Sequence, residues 1–326
     1  MRRFNNILCV VVSPSVSGAA LERAATLANN NQARLTVLAA IDEIPPNLKL
    51  PDNALSLGDL QAKIVAEHLH TLQELVTPYT GNIEIQTKVL TGTPFLEIIR
   101  ETLRNGHDLL VKTADNGGLL DRVFGSEDMH LLRKCPCPVW LVKSQSPRAY
   151  RNILVAVDVD DSYSPEELST KHQLNLQVLE MASSLSLSEF AELHILHTWQ
   201  AIGEGMMRSG FIQMQDKKVD IYVEEVKQQR NQSLNALMDE VFDKFGRDVL
   251  QYLKPKKHLL KGYSRKNVAE FARKIEADLV VMGTVARTGL PGFFMGNTAE
   301  STLNQLDCSV LAVKPAGFIT PVTLEN

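Results

Sequence analysis

VMGTVARTGLPGFFMGNTAES, residues 281–301, is the stretch whose reading decides the fold. It continues from Ala277-Asp278-Leu279-Val280, so Leu279 to Met282 forms a short apolar run bounded by turn residues, the pattern of a buried strand. Gly283 ends that run. Glycines recur at Gly289, Gly292 and Gly296, and Asn297 and Thr298 supply N-cap chemistry for a helical segment from Ala299 to Leu306. The order is therefore strand, glycine loop, helix start. Glycine lets backbone N–H groups approach an anion without a Cβ in the way, and a helix start leaves N–H groups unpaired. The spacing fits a phosphate cradle or a plain connecting turn equally well.

Outward from this stretch the chain repeats itself. Asn6-Ile7-Leu8 recurs as Asn152-Ile153-Leu154 after 146 residues, Gly92 and Asp108 recur as Gly262 and Asp278 after 170, and Gly125 recurs as Gly296 after 171. In the first copy, apolar runs at 7–12, 34–40, 83–89, 108–111 and 139–142 read as strands. Between them lie segments of helical period, such as Leu57, Leu60, Ile64, His68, Leu72 and Leu75. Alternation of strands and helices in both copies predicts an α/β fold of two tandem, doubly wound domains, each with a five-stranded parallel sheet. The length of 326 residues suits two domains. Their limits fall at 1–145 and 150–316, on either side of the short segment Ser144 to Tyr150, with a C-terminal tail over 317–326.

Gly283, two residues, Ala286, nine residues and Gly296-Asn297 together resemble the G-x2-G-x9-G-S/T nucleotide loop of the universal stress protein family. Ala286 stands at the second glycine and Asn297 at the Ser/Thr position. HDLLVK, HLLRKCPCPVWLVK and GTVARTGLPGFFMGNTAE extend the similarity to tandem, two-domain members of that family over nearly the whole chain. The resemblance implies a Rossmann-like fold of the adenine nucleotide alpha hydrolase type, a cytoplasmic role in stress endurance, and an adenine nucleotide of ATP type as ligand. It implies Asp158 and Met282 near the sugar and base. Gly283, Ala286, Gly296, Asn297 and Thr298 would lie along the phosphates, with Arg287 as a charge contact. It further implies that Val139–Val142 and Val310–Val313 pair within the one chain as an intrachain pseudo-dimer, covering two exposed sheet edges. Association into a homodimer is left open.

The two copies differ where the nucleotide loop begins. Val12 stands where the second copy has Asp158, and DLLVK (108–112) stands opposite DLVVMG (278–283). Depending on a one-residue slip, Lys112 or Thr113 takes the place of the first glycine, and Asp115 or Asn116 that of the second. A carboxylate there repels a triphosphate. Gly125-Ser126 alone fits the pattern, so Lys112, Asp115, Gly125 and Ser126 mark a degenerate site in the first domain. Lys112 reads either as a strand-end lysine in solvent or as a member of an ion pair.

A net charge of −4 and a pI near 6.1 give no electrostatic drive toward nucleic acid. No apolar run approaches the ~20 residues of a spanning helix, which predicts no membrane insertion. Cys9, Cys135, Cys137 and Cys308 read as reduced thiols, mostly in apolar runs. His194 and His197, three apart on an alternating strand, point to opposite faces and cannot share a metal. No nucleophile–base set or Walker motif occurs. The sequence thus reads as a non-enzymatic binding protein, with a weak ATPase left open. Two alternatives stand beside the nucleotide. One is an apolar or amphipathic small molecule held between the domains, with the Met-rich insertion 201–218 (Met206, Met207, Phe211, Met214) as a lid. The other is a partner-binding module without ligand.

Overall fold

Ile7 and Cys9 alternate with Leu8 and Val10, and all four are buried. A strand apolar on both faces must be covered on both, which places it inside a doubly wound sheet. That strand is β1 (Asn6–Val10); α1 (Gly18–Asn31), β2 (Arg34–Ile41), α2 (Leu57–Val76), β3 (Ile85–Thr91), α3 (Pro94–Asn105), β4 (Leu109–Thr113), α4 (Ser126–Lys134) and β5 (Val139–Val142) complete the first half. The second half runs β6 (Asn152–Val157), α5 (Pro165–Glu189), β7 (Glu192–Trp199), α6 (Glu204–Arg208), α7 (Asp216–Phe245), α8 (Arg247–Leu253), β8 (Lys256–Lys261), α9 (Ser264–Lys274), β9 (Leu279–Gly283), α10 (Asn297–Leu303) and β10 (Ser309–Val313). The structure is a computed structural model that describes residues 4–49, 55–81, 83–115, 124–209, 214–284 and 295–324.

The strands form one sheet in the order β3-β2-β1-β4-β5-β10-β9-β6-β7-β8. Neighbours are parallel except at the centre, where β5 and β10 run antiparallel with Val310 opposite Leu141 and Ala312 opposite Val139. The two halves are therefore one sheet, and the expected strand pairing within the chain is present. Alternate residues feed two cores. Ile7, Cys9, Ile153 and Val155 face α1, α2, α5 and α7, while Leu8, Val10, Leu154 and Val280 face α3, α4, α9 and α10.

The register removes the slip that the sequence leaves open. Val10 pairs with Lys112, and Ala156, its counterpart 146 residues later, pairs with Met282. Lys112 thus occupies the place of Met282, and Thr113 that of Gly283. Two boundaries shift as well. The first strand stops at Val10, and the last helix opens at Asn297 with Gly296 as its N-cap. His68 is exposed, its ring bonded to the Ile64 carbonyl at 2.9 Å.

The seam carries polar contacts across it. Arg23 of α1 bonds Glu189 of α5 at 2.7 Å and lies 3.4 Å over the Tyr150 ring. Arg133 of α4 bonds Glu300 of α10. The chain end returns to the first half, where Arg100 of α3 donates to the Thr323 carbonyl.

Candidate functional site

In a doubly wound sheet the order reverses between two strands whose connections leave on opposite faces, and a crevice opens beyond their carboxyl ends. In the second half those strands are β6 and β9. A cavity of about 950 Å³ lies there, within the range of small-molecule sites. Its described lining comes wholly from the second half. Ala156 to Asp158 end β6, Leu196 to Gln200 end β7, and Met282 and Gly283 end β9. Gly262 to Arg265 lead into α9, and Met295 to Thr298 lead into α10.

The structure brings Asp158, Met282, Gly283, Gly296, Asn297 and Thr298 together around this cavity. Ala286 and Arg287 lie outside the described residues. Met282 is buried and also packs in the core. Gly283 has a steric reason for its identity, since a Cβ there would sit 2.5 Å from Leu174 Cδ2. Its small size lets α5 close on β9, and its φ is not in the left-handed region. Gly296 donates its N–H to the Thr284 carbonyl at 3.1 Å and caps α10, whose Asn297 and Thr298 stand in the first turn.

Asp158 already has donors from its own chain. Lys171 Nζ bonds its Oδ2 at 2.6 Å and Tyr163 OH bonds the same oxygen at 3.0 Å. Burial would raise the carboxyl pKa, but the Lys171 ammonium outweighs it and holds Asp158 below the usual carboxylate value. Lys171 is raised in turn, Asp158 outweighing its own burial. Asn175 clamps the backbone of Asp158, accepting from its N–H at 3.0 Å and donating to its carbonyl at 2.7 Å. Arg230 of α7 anchors the following residues through Asp160 at 3.0 Å and through Asp161.

Lys171, Tyr163, Asn175 and Arg265 are lining residues that the sequence reading missed. The surplus length of the second copy after its first strand was the available signal, because that surplus becomes the early turns of α5, with Tyr163 just before them and Lys171 within them. Arg265 is exposed at the rim, 5.2 Å from the Tyr263 ring, with no acidic partner among the described residues. Of the described residues of the Met-rich insertion, Ile202 alone lines the cavity; Met206 is 65% exposed, and Phe211 lies outside the described residues.

His197 and His194 do point to opposite faces. His197 bonds the Val157 carbonyl at 3.2 Å, whereas His194 stacks on His258, with ring nitrogens 3.1 Å apart. His258 itself packs on Phe271, with ring centroids 4.4 Å apart. Among the described residues no cluster suited to a metal ion occurs. No helix among them is long and apolar enough to cross a membrane.

At the corresponding place in the first half, beyond β1 and β4, the described residues form a buried group of charges. Lys112 is 1% exposed and its Nζ bonds Asp115 at 2.5 Å and Asp128 at 2.8 Å. Asp128 is fully buried and also accepts from the Asp115 N–H at 2.7 Å. Burial would strip the Lys112 proton, but the two carboxylates outweigh it and raise its pKa. Gly125 is hemmed in by the same group, a Cβ there falling 2.9 Å from the Asp115 Cβ, and Ser126 is exposed.

A family model described as the universal stress protein family matches residues 3–143 and 149–314. Universal stress protein E of Escherichia coli (strain K12) is 28% identical over 332 residues, covering 100% of this chain and 99% of that protein. The universal stress protein E homolog of Haemophilus influenzae is 28% identical over 321 residues, 96% of this chain and 98% of the relative. A functionally unknown protein of Pseudomonas aeruginosa PAO1 shares the fold, with a TM-score of 0.65 and 24% identity over 96% of this chain and 93% of that one.

Proposed function

Because the chain belongs to the universal stress protein family, with two copies of its domain in tandem, we propose that it is a non-enzymatic stress-response binding protein. Its domains are taken as 1–145 and 150–316, with 317–326 as a tail, and its ligand as an adenine nucleotide of ATP type held by the second domain. The observation that carries this reading is the cavity beyond β6 and β9, whose wall includes both ends of the nucleotide-like loop, Met282-Gly283 and Gly296-Asn297-Thr298. The wall carries Lys171, Arg265, Asp158 and Asp160; the two carboxylates are paired with Lys171 and Arg230, which leaves Arg265 to attract an anionic group of the ligand. Asp158 enters as a shared acceptor, since its carboxylate already holds Lys171 and Tyr163.

Of the lining groups with base chemistry, His197 is buried with Nδ1 against the Val157 carbonyl, and the Asp158 carboxylate is paired with Lys171. An amphipathic ligand between the domains finds less support, since the described lining belongs to one half and leaves out Met206 and Met207. Native mass spectrometry of freshly purified protein, followed by a thermal-shift titration with ATP, tests the proposal. One adenine nucleotide per chain and a melting temperature that climbs with ligand concentration are expected, with both weakened by Asp158→Ala. No bound nucleotide and no shift at millimolar ATP would overturn it.

A further inference from the structure

Cys135-Pro136-Cys137 joins α4 to β5 and brings two thiols together. Their Sγ atoms are 3.6 Å apart, and both residues are buried. Cys135 is the C-cap of α4, with its N–H bonded to the Leu131 carbonyl at 2.9 Å. Lys314, the residue after β10, enters the same place from the second half. Its Nζ donates to the carbonyls of Leu132 and Arg133 in the last turn of α4. Among the described residues no carboxylate forms an ion pair with Lys314, and it is 5% exposed. Burial drops the pKa of its ammonium to about 8, and the ionisable neighbour that works against this is Cys135.

We propose that Cys135 and Cys137 are an oxidant-responsive dithiol, in which Cys135 is the attacking sulfur, Cys137 the resolving sulfur and Lys314 the cation that steadies the thiolate. The setting distinguishes this pair from the other two cysteines. Burial pushes Cys9 and Cys308 up to about 12, so they stay protonated and poorly nucleophilic. Burial would raise Cys135 too, but hydrogen bonds from the Cys137 thiol and backbone N–H, with a smaller part from the Lys314 ammonium, outweigh it and hold it below the usual thiol value, while Cys137 is raised.

The chemistry needs a peroxide as co-reactant. The Cys135 thiolate attacks one peroxide oxygen, the O–O bond breaks, and the departing hydroxide takes up the proton given up by the thiol, leaving a sulfenic acid and one water. Cys137 then attacks the Cys135 sulfur; the S–O bond breaks and a second water leaves with the Cys137 proton. The two sulfurs together lose two electrons and the peroxide gains two. Closure shortens the Sγ separation from 3.6 Å to about 2 Å, a change that local adjustment of the Cys-Pro-Cys turn can supply. Hydrogen peroxide is close to water in size, so local opening of the native fold gives it access that a bulky disulfide lacks. Because the pair sits where α4 meets β5 and Lys314 crosses from the other half, oxidation is felt at the seam.

The test treats the reduced full-length protein with hydrogen peroxide at neutral pH and follows intact mass, free thiols and peptide maps. Expected is the loss of two of the four thiols, a mass lower by two hydrogen atoms, and a Cys135–Cys137 cross-link. Cys137→Ser is expected to stop at the sulfenic acid, captured on Cys135 by dimedone added with denaturant after the peroxide is removed, and Lys314→Met to slow thiol loss severalfold. Oxidation of Cys308 ahead of the pair would overturn the proposal. So would a Cys137→Ser protein that yields no dimedone adduct, or thiol loss that begins only when urea unfolds the chain.

Discussion

The crevice beyond β1 and β4 and the crevice beyond β6 and β9 share a backbone plan and differ in a handful of side chains. Lys112, Thr113 and Asp128 belong to the first; Met282, Gly283 and Ala299 stand at the matching places in the second and line an open cavity. The sheet edges repeat the contrast. Lys88 of β3 bonds Glu101 of α3 at 2.7 Å, and the residues 170 positions later are His258 and Phe271, packed ring on ring at 4.4 Å. The first half uses buried ion pairs where the second uses apolar and aromatic contacts. A buried ion pair adds little net stability once both charges are desolvated, but it fixes one arrangement, because either charge left alone is costly. The first half is thus locked by its own charges, and the second keeps room for a ligand.

Breaking the lock has the largest expected effect. Lys112→Met copies the second half into the first and leaves the fully buried Asp128 without its cation, at a cost of roughly 3–5 kcal/mol. Urea unfolding measures it. The double variant Lys112→Met with Asp128→Ala copies both partners and is expected to recover most of the loss. A single variant costing under about 1 kcal/mol would mean that the charges do not lock the crevice.

Exchanging the glycine position comes next. Gly283→Thr, which imitates Thr113, drives a Cβ to within 2.5 Å of Leu174 and is expected to cost about 1–3 kcal/mol as α5 is pushed off β9. Thr113→Gly makes no such clash; it is expected to lose about 1 kcal/mol through backbone freedom and about 1 kcal/mol more through the space its buried side chain leaves, with no relief from Leu174→Ala. Leu174→Ala in the Gly283→Thr background is expected to relieve part of the clash. A Gly283→Thr loss that Leu174→Ala leaves unrelieved would erase the packing difference between the halves.

These side chains also mark what could be read in advance. The strands were legible because runs such as Leu279 to Met282 are apolar, short and bounded by turns, and the doubling was legible because Asn6-Ile7-Leu8 and Asp108 recur. The antiparallel joint of β5 with β10 followed from the family resemblance and from the need to cover two edges. An ion pair was one of the two readings of Lys112, but its buried partner Asp128 was not legible, because it is sixteen residues on and in another element. The purpose of Gly283 was hidden for a similar reason. The glycine pattern suggested room for a phosphate, and the tightest neighbour is a leucine from a helix more than a hundred residues earlier. Lys171 escaped because a basic residue on a polar helix looks like any solvated charge until Asp158 is placed opposite it.

Acid is expected to separate the two edges of the sheet. Burial, with help from His194 and Lys256, holds His258 down to about 4, against an ordinary value of 6.5. The unfolded chain therefore takes up a proton that the folded chain refuses, and the stability supplied at this edge falls as pH drops from about 6.5 to 4. Glu101 behaves differently. The His107 ring 3.8 Å away and the Lys88 ammonium bonded at 2.7 Å together outweigh burial and hold it to about 2, against 4.5, so its contribution is intact above 4.5 and lost toward 2. Hydrogen-exchange protection factors, corrected for the slower intrinsic exchange in acid, are expected to be lower in β7 and β8 at pH 5 than at neutral pH, with those of β2 and β3 unchanged, and His258→Gln is expected to lessen that pH dependence, His194 and His197 keeping the rest. Loosening of β2 and β3 first would reverse the assignment.

The smallest effect tests whether the second crevice holds a lock of its own. Lys171 and Asp158 form an ion pair like that of Lys112 and Asp128, but the side chains are 19% and 42% exposed, against 1% and 0%. Water screens the former pair and can replace either partner, so Lys171→Met is expected to change stability by less than about 1 kcal/mol. Its effect should appear in ligand binding instead, as a severalfold weaker thermal shift with ATP, because the wall loses a cation while the Asp158 carboxylate stays. A loss of stability near that of Lys112→Met would make Lys171 a second lock and the two halves alike. A small loss with unchanged ATP response would keep the halves different and move the anion contacts to Arg265 and the start of α10.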